Sequence, residues 1–513
     1  MLIESQWSKT LLITFLGFVS FLTLSAQVLL EGRIEIPINE DSNAEKFKAI
    51  GIEKNGLIIY RIIPGREEDK LELIKVDTSF IEGWRGYIGV PRNLTLIHAE
   101  YSNGILFILF KHRFYLGGDF QIISVRVNDG KFSTYLVKNL IPFNPTQFTI
   151  NSQAAMIGGY FNYRPLVLYY NFTLQTSKIL PGFLNEEGEL DQLKPYSDGS
   201  VDVVVCARNL QKKKSLWIRN YDSQGELIKT TIVQPDVDKN YQLLFGRSVR
   251  LSNGDQIVAG VYGRFSDLSR GIFVAGINPV GEYSIRYYNF SELDNFFSYM
   301  KVRRQKRIKE RIERRKIHGK KIKFNYRFLI HEIIPYKDQY IMTGEAFYPH
   351  YAYPNNSNLQ TRSFYQTAAS GFYNSPNMRG EMVFDGYQYT HAVVVGFDKT
   401  GSIQWDNSFE INDVKTMQLE QFVEVKPEKD RIVMMYLFKN KLRTKIINDS
   451  QVLEGKSQDD IKTNPNQKID PKSIVGEQLD YWYGEHFYAY GIQIVSTGGS
   501  ERKIFYVNKL TYK

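Results

Sequence analysis

Leu251-Ser252-Asn253-Gly254-Asp255-Gln256-Ile257-Val258 is the stretch of sequence that decides the fold. A polar turn precedes an apolar run, and Asn-Gly favours a tight hairpin because both residues can adopt positive φ. The same arrangement recurs at seven further places, the last of them the poorest copy: residues 53–60, 102–107, 151–157, 197–205, 336–342, 428–434 and 483–490. Repetition at this scale indicates a modular fold built from one unit.

The distance between these turns identifies the unit. Intervals of 48, 49, 46 and 55 residues separate Asn55, Asn103, Ser152, Asp198 and Asn253. A second turn lies between later runs at 128–130, 223–225, 279–281 and 399–401, which gives about four strands per unit. The sequence therefore predicts an all-β propeller of eight four-stranded blades, or alternatively seven, with one inserted basic α-helix.

The predicted propeller occupies residues 27–513 as a single domain. Its ring can close by pairing an early strand at 32–36 with the final run at 502–512, which removes two exposed sheet edges. Wider spacing in the later units indicates three insertions: a basic helix at 291–323, an aromatic-rich loop at 348–387 and a polar mobile loop at 454–472.

Residues 1–26 are predicted to be an export signal. Lys9 precedes an apolar stretch at 11–24, and the small residues Ser25 and Ala26 follow it, as is typical of signal peptidase substrates. An uncleaved membrane anchor is the alternative. We therefore expect a periplasmic protein. The single cysteine, Cys206, lies in an apolar run and is expected to be a buried core residue.

The basic insertion carries the net charge of the chain. Residues 301–323 hold thirteen Lys or Arg against Glu310 and Glu313, a net charge of +11, while the whole chain is +10. We expect a helix with Ser291 as its N-cap and Gly319 at its C-terminal end. Two interpretations stay open: a solvated helix whose charge aids solubility, or an arm that docks on an acidic surface.

Two sets of side chains are the candidate partner contacts. The apolar stripe formed by Phe297, Met300, Ile308 and Ile312 is expected to lean on the propeller. That leaves the arginines of the helix for a partner: Arg303, Arg304, Arg307, Arg311, Arg314 and Arg315. Aromatic residues offer large contact area with few rotamers to fix, so the aromatic insertion supplies the second set: Tyr351, Tyr353, Phe372 and Tyr373. The alternative for this loop is packing on the propeller face without a partner.

A search for catalytic chemistry finds no complete set. The chain has no Gly-x-Ser-x-Gly nucleophile elbow and no phosphate-binding Gly-x-x-x-x-Gly-Lys-Ser/Thr run. Among the seven histidines the nearest approach to a metal site is His350 with His391, which we do not expect to bind a metal. We predict no catalytic residue, no metal and no cofactor.

Leu24-Ser25-Ala26-Gln27 resembles the end of export signals in Gram-negative bacteria that use the type IX secretion system. The Asn-Gly and Asp-Gly hairpins are similar to exported propeller repeats of those bacteria. The whole chain resembles the periplasmic plug subunit of the type IX outer-membrane translocon, although no short motif carries the resemblance and no residue is assigned by it. It implies a binding role, in which the protein seals the periplasmic mouth of a large β-barrel until cargo arrives.

The sequence therefore predicts a non-enzymatic periplasmic protein, monomeric by itself, that docks to an outer-membrane protein complex. The expected partner is the translocon or another membrane protein complex, with anionic lipid as an alternative, and export argues against nucleic acid. Two other functions stay open. One is a glycan-binding or glycan-cleaving secreted propeller that uses the aromatic insertion, and the other is a surface-exposed structural or adhesion protein.

Overall fold

The repeated turns and apolar runs fold into antiparallel sheets arranged as a ring. The computed structural model describes residues 28–38, 46–151, 153–183, 187–236, 238–264, 268–320, 322–352, 383–465, 467–470 and 473–512. Within these residues the chain forms 35 strands and one α-helix, α1 (Val302–Ile317). The predicted export signal lies outside the described residues, and so do Tyr353, Phe372 and Tyr373 of the aromatic insertion.

Each sheet is one blade, and its strands follow one another in chain order, except that the N-terminal strand β1 (Val28–Pro37) completes blade 8. Blade 1 contains β2 (Lys48–Gly51), β3 (Leu57–Ile63), β4 (Asp69–Val76) and β5 (Glu82–Val90), and blade 2 contains β6 (Leu94–Ser102), β7 (Ile105–His112), β8 (Phe120–Arg126) and β9 (Phe132–Val137). Blade 3 contains β10 (Asn144–Ile150), β11 (Ala154–Phe161), β12 (Arg164–Asn171) and β13 (Thr176–Ile179), and blade 4 contains β14 (Gly188–Pro195), β15 (Val201–Arg208), β16 (Lys214–Tyr221) and β17 (Leu227–Val233).

Blades 5 to 8 carry the additions to this plan. Blade 5 contains β18 (Gln242–Arg250), β19 (Gln256–Gly263), β20 (Ser269–Ile277) and β21 (Tyr283–Asn289). Blade 6 contains β22 (Arg327–Ile330), β23 (Ile334–Tyr336), β24 (Gln339–Ala352), β25 (Val383–Phe397), β26 (Ile403–Glu410) and β27 (Lys415–Thr416). Blade 7 contains β28 (Glu424–Pro427), β29 (Ile432–Phe438), β30 (Lys441–Asn448) and β31 (Gln451–Asp460), and blade 8 contains β32 (Lys468–Ile469), β33 (Val475–Tyr483), β34 (His486–Thr497) and β35 (Ser500–Tyr512).

The arrangement is an eight-bladed β-propeller, as the sequence predicts. The first strands of blades 1 to 6 contact those of their neighbours in turn, β28 of blade 7 contacts β33 of blade 8, and β33 contacts β2 of blade 1. The predicted turns join the first two strands of each blade. At Asn103 and Gly104, φ is 49° and 80° between the paired residues Ser102 and Ile105, which is the tight hairpin that Asn-Gly favours.

The connection after blade 5, and the loop between the second and third strands of blade 6, both begin and end on one face of the ring. Because successive strands of a blade alternate in direction, the loops between second and third strands lie on the same face as the connections from blade to blade. Residues 290–326 connect blade 5 to blade 6, and residues 353–382 join β24 to β25. We call this side of the ring the arm face.

Strands from the two ends of the described chain close the ring. β1 pairs antiparallel with β35, from Val28 opposite Tyr512 to Pro37 opposite Ile504, with one register shift after Leu30. This confirms the predicted pairing of 32–36 with 502–512. Blades 8 and 1 also share a core, in which the ring centroids of Phe47 and Phe505 lie 5.1 Å apart.

Arg33 fixes β1 against blade 8. Its side chain is 2% exposed, and its Nε donates to Glu35 Oε1 at 2.9 Å. The two Nη atoms donate to Asn508 Oδ1 and Gln493 Oε1, both at 3.0 Å. The guanidinium also lies over the ring of Tyr506, 4.6 Å from its centroid. A buried cation therefore joins the N-terminal strand to two strands of the last blade.

Two insertions differ from the prediction. Helix α1 has Lys301 as its N-cap and begins at Val302, so its 16 residues span about 24 Å instead of starting at Ser291. The preceding segment does not continue the helix because its backbone N–H groups donate to side chains of blade 6, as described below. The segment predicted as a polar loop, 454–472, contributes its first residues to β31, which pairs with β30.

Replacing Arg33 by alanine should lower the free energy of unfolding by about 3 kcal/mol, because Glu35, Asn508 and Gln493 would each lose the buried guanidinium that donates to them. Arg502 offers a matched control, since it pairs with the same carboxylate at 3.1 Å from an exposed position. Arg502→Ala should cost roughly 1 kcal/mol or less in urea denaturation. Equal losses in the two variants would contradict this role for Arg33.

Candidate functional site

Residues 290–300, which we call the root, anchor α1 to the propeller. Three root side chains, Phe290, Phe296 and Phe297, are buried in one cluster with Val393 and Val395 of β25. The ring centroids of Phe290 and Phe296 lie 4.5 Å apart. Burial of three phenylalanines holds the root between blades 5 and 6 and sets where α1 begins.

Polar groups of β26 bind the backbone of the root. Asp406 accepts the backbone N–H groups of Asp294 and Asn295 at 2.9 and 2.8 Å. Ser408 Oγ accepts the N–H of Tyr299 at 3.1 Å and donates to the carbonyl of Asn295 at 2.9 Å. Burial raises the pKa of Asp406 to about 6, against the opposing effect of these hydrogen bonds. These contacts explain why the root forms turns rather than a helix.

The two histidines considered as a metal pair have separate structural roles. His391 is fully buried and stacks on Tyr299, with ring centroids 3.8 Å apart and an interplanar angle of 5°. Burial lowers the pKa of His391 to about 3, so the imidazole is neutral. His350 lies four residues beyond Ala346, the partner of His391, which places it about 13 Å further along the strand. They cannot share a metal ion.

Helix α1 leans on the propeller through the predicted stripe. Ile312 is buried, and Ile308 and Met300 pack against the same cluster as the root. Gly319, at φ 63°, follows the helix, and the N–H of Lys320 donates to the carbonyl of Arg315 at 2.9 Å. The prediction of a helix that ends at Gly319 and rests on the rim is therefore correct, apart from its start.

Five of the six predicted arginines of α1 are exposed to solvent. Arg315 is half-buried, and Arg314 Nε donates to the carbonyl of Glu310 at 3.3 Å. The other five arginines of the set are exposed, and none of them forms an ion pair within the described chain. They are Arg303, Arg304, Arg307, Arg311 and Arg314. No acidic surface of the described propeller neutralises them.

Four of these arginines share one side of the helix. Arg303, Arg307, Arg311 and Arg315 follow one another at intervals of four residues, which places them in a row on an α-helix. The row extends over about 18 Å at 1.5 Å per residue. This spacing is visible in the sequence, and it defines a flat cationic surface that a count of charges does not reveal.

The aromatic insertion is anchored by a long hairpin on the arm face. Tyr351 of β24 is half-exposed and contacts Phe384 of β25, with ring centroids 5.9 Å apart. Phe384 in turn contacts Tyr387 at 5.0 Å. Of the four predicted aromatic contacts only Tyr351 belongs to the described residues. It lies on the same face of the ring as α1.

Sequence reasoning missed a further feature of the arm face. The loops after the second strands of blades 2, 3 and 4 carry Phe114, Tyr163 and Leu210, which are 90%, 85% and 98% exposed. A cation lies next to or two residues from each: Arg113, Arg164 and Lys212. These loops therefore give the arm face three exposed apolar side chains, one on each of three neighbouring blades. No sequence signal separates them from ordinary loop residues.

A separate group of carboxylates lies on the inner strands of blades 6 to 8. Burial, followed by the negative charges of Asp480 and Glu345, raises the pKa of Glu424 to about 8. Burial also raises the pKa of Asp480 to about 6. Glu345 accepts the backbone N–H of Val423 at 2.6 Å, which ties blade 6 to blade 7. The pKa shifts of Glu424 and Asp480 show that burial favours the protonated form of both carboxyls.

Within the described ranges, no group of three or more His, Cys, Asp or Glu side chains is arranged to hold a metal ion. In the same part of the chain, no helix is both long and apolar enough to cross a lipid bilayer. Cys206 is buried, as predicted.

Comparisons with known proteins give similarity of fold only. No protein-family model matches the chain, and no curated protein matches it. A prolyl endopeptidase structure is similar over 81% of this chain and 50% of its own, with 10% identity and a TM-score of 0.38. The chain therefore spans half the length of that enzyme.

Two further solved structures are similar over more of their own length. The polysaccharide lyase Uly1 has 8% identity, covers 80% of this chain and 89% of its own, and gives a TM-score of 0.37. The β-propeller domain of the Trilobed protease from Pyrococcus furiosus has 9% identity, covers 81% and 95%, and gives a TM-score of 0.34. None of these similarities carries an argument about activity.

Replacing Asp406 by alanine should loosen the root, because two backbone N–H groups would lose a carboxylate acceptor. Hydrogen bonds to charged groups contribute about 1.5–3 kcal/mol each, so tryptic cleavage within 301–320 should accelerate about tenfold or more. Asp398→Ala is the control, since Asp398 accepts the N–H groups of Thr400 and Ser402 in a turn of the same blade, away from the root. Cleavage at the wild-type rate in D406A would contradict the anchoring role.

The pKa of Glu424 predicts how stability depends on pH. Because the folded-state pKa lies above the ordinary value, its contribution to stability is present at low pH and is lost as pH rises toward about 8. Glu424→Gln should therefore reduce the fall in the free energy of unfolding between about pH 5 and pH 8. Glu501→Gln, at an exposed position, should leave the wild-type profile unchanged. Identical profiles for wild type and E424Q would refute the prediction.

Proposed function

We propose that this protein is a docking protein, without chemistry of its own, that binds an acidic surface of a protein partner through its arm face. The arginine row of α1 carries this proposal. Its members Arg303, Arg307 and Arg311 are exposed and form no ion pair within the described chain, and the helix that carries them is attached to a buried root. Charged groups on a rigid element steer association and fix orientation, while exposed aromatic and aliphatic side chains supply the durable contact. Phe114, Tyr163, Leu210 and Tyr351 are available for that second role.

The resemblance noted above gives the proposal its specific form. In this form the protein is exported to the periplasm and docks to an outer-membrane protein complex, as a plug subunit of a type IX translocon does. The fold is compatible with this role, since a disc that carries its insertions on one face can cover an opening. Localisation and partner are both parts of the proposal and are tested together with it.

Neutralising the arginine row should weaken partner capture and flatten its salt dependence. The variant R303Q/R304Q/R307Q/R311Q removes the three fully exposed arginines of the row together with the neighbouring Arg304, and its capture from detergent-solubilised outer membranes should fall about tenfold at low salt because the steering charge is removed. The measurement is affinity purification across a salt series, followed by mass spectrometry. Capture that is unchanged across the series would remove α1 from the proposal.

A matched control removes the same charge from the opposite face. Lys54, Lys131, Lys399 and Lys429 are exposed in turns on that face. Their combined replacement by glutamine should leave capture and its salt dependence as in the wild type. Retention on protein-free vesicles of anionic lipid, lost in the arginine variant, would instead identify a membrane as the partner and contradict a protein partner.

A second candidate is a glycan-binding or glycan-cleaving propeller, which the half-exposed Tyr351 and the aromatic hairpin below it favour. Carbohydrate rings stack on such side chains, and the insertion supplies more of them in sequence. Screening the full chain on a glycan array and on soluble polysaccharides separates the two functions. Binding that is lost in Tyr351→Ala and kept in the arginine variant would favour the glycan function.

A further inference from the structure

A pocket lies between the C-terminal end of α1 and blade 5, apart from the arginine row. Its volume is about 320 Å³, at the lower end of the range for small-ligand sites. The strands of blade 5, the connection after β21 and the residues around the end of α1 all contribute to the lining. The walls contain Lys239, Tyr241, Tyr262, Arg264, Arg270, Tyr287, Asn289, Ser291, Glu292, Lys316, Lys320, Ile322 and Lys323.

The charge of this lining is strongly positive. Six side chains are Lys or Arg, and Glu292 is the only acidic one among the described lining residues. Lys239 pairs with Asp236 at 2.9 Å, and Glu292 Oε2 accepts the backbone N–H of Asn289 at 2.9 Å. Neither of these contacts neutralises the remaining cations. A recess lined by charges of one sign raises the local concentration of ions of opposite sign.

Two of the lining cations are arginines, whose guanidinium groups are suited to binding an oxyanion. Arg264 and Arg270 are half-buried, and neither forms an ion pair within the described chain. Arg264 is held in place by Tyr241, whose ring centroid lies 5.5 Å from the guanidinium carbon. Guanidinium groups bind phosphate with paired hydrogen bonds, whereas lysines act as point charges. Lys316 and Lys320 add two such charges from the end of α1.

Three tyrosines form the aromatic part of the same pocket. The ring centroids of Tyr241, Tyr262 and Tyr287 lie 4.6, 4.9 and 5.0 Å apart in pairs, so each ring supports the others. Tyr262 is buried, and Tyr241 and Tyr287 are half-buried at the lining. Tyr287 Oη also accepts the backbone N–H of Asp236 at 3.0 Å, which fixes that side chain. A rigid aromatic wall beside a cluster of cations suits a ligand with a ring and an anionic group.

We propose that this pocket binds a phosphorylated sugar, with the phosphate at Arg264, Arg270, Lys316 and Lys320 and the sugar ring against Tyr241 and Tyr287. Two arginines and two lysines match the several oxygens of a phosphate better than they match a single carboxylate. The tyrosine wall distinguishes a sugar phosphate from inorganic phosphate. The phosphorylated sugar is either a free metabolite or the head group of a glycolipid.

The test uses the full chain in phosphate-free buffer and isothermal titration calorimetry. Glucose 6-phosphate and glucose 1-phosphate are the soluble probes, with inorganic phosphate, glucose and glucuronic acid for comparison. One of the sugar phosphates should bind about tenfold or more tightly than all three comparison compounds, because inorganic phosphate lacks the ring that contacts Tyr241 and Tyr287, while glucose and glucuronic acid lack the phosphate. A second arm measures retention on vesicles with and without a glycolipid that carries a phosphorylated sugar.

Variants connect any binding to the pocket. R264Q/R270Q should weaken binding about tenfold or more, and so should K316Q/K320Q, whose exposed positions leave folding unaffected. R303Q/R307Q is the matched control and should bind as the wild type, which also keeps this site separate from the docking function. Binding in the soluble arm assigns a free sugar phosphate, and retention only on glycolipid vesicles assigns a head group. Absence of binding in both arms, equal binding of glucuronic acid, or binding unchanged in both pocket variants would overturn the proposal.

Discussion

The pairing of β1 with β35 is the interaction on which the rest of the structure depends. Every other blade is continuous in sequence, whereas blade 8 takes its outermost strand from the beginning of the described chain. A propeller without this strand would expose the edge of β35 and leave the last blade one strand short. Arg33 makes the closure specific, because its buried guanidinium finds acceptors on both β34 and β35 only in this register.

A closed ring gives α1 a fixed direction. The root passes between blades 5 and 6 and contacts residues of both. The direction of α1 is therefore fixed only if these two blades keep a constant position relative to one another. Asp406 and Ser408 bind the root from β26, while Phe290 reaches back to the backbone carbonyl of Arg270 on β20 through its N–H at 3.2 Å. Ring closure, root and helix are therefore successive steps in placing a row of positive charge on one face.

The sequence predicts the propeller well because the fold is repeated. One Asn-Gly hairpin is ambiguous, but eight copies of the turn, the first five of them at similar spacing, leave few alternatives, and the blade count, the closing strand pair and the end of α1 at Gly319 are all confirmed. The predicted start of α1 was wrong because the true start depends on tertiary contacts. Ser291 has the chemistry of an N-cap, yet the backbone N–H groups that follow it donate to Asp406, which is more than one hundred residues away in the sequence. The pocket at the end of α1 was missed for the same reason, since Arg264 and Lys320 meet only through the path of the connection between blades.

The balance of forces on α1 bears on how it can bind. Three like-charge pairs along the arginine row cost about 1 kcal/mol together, at a few tenths for each pair. Burial of Ile312 alone contributes roughly 1.5–3 kcal/mol, and Ile308 and the root add to it. Burial of these apolar side chains therefore outweighs the repulsion along the row. A disordered basic segment would lose free energy in ordering on binding, which lowers affinity for the same contacts. In the docking function proposed above, a helix packed in this way presents its charge to the partner from a fixed position.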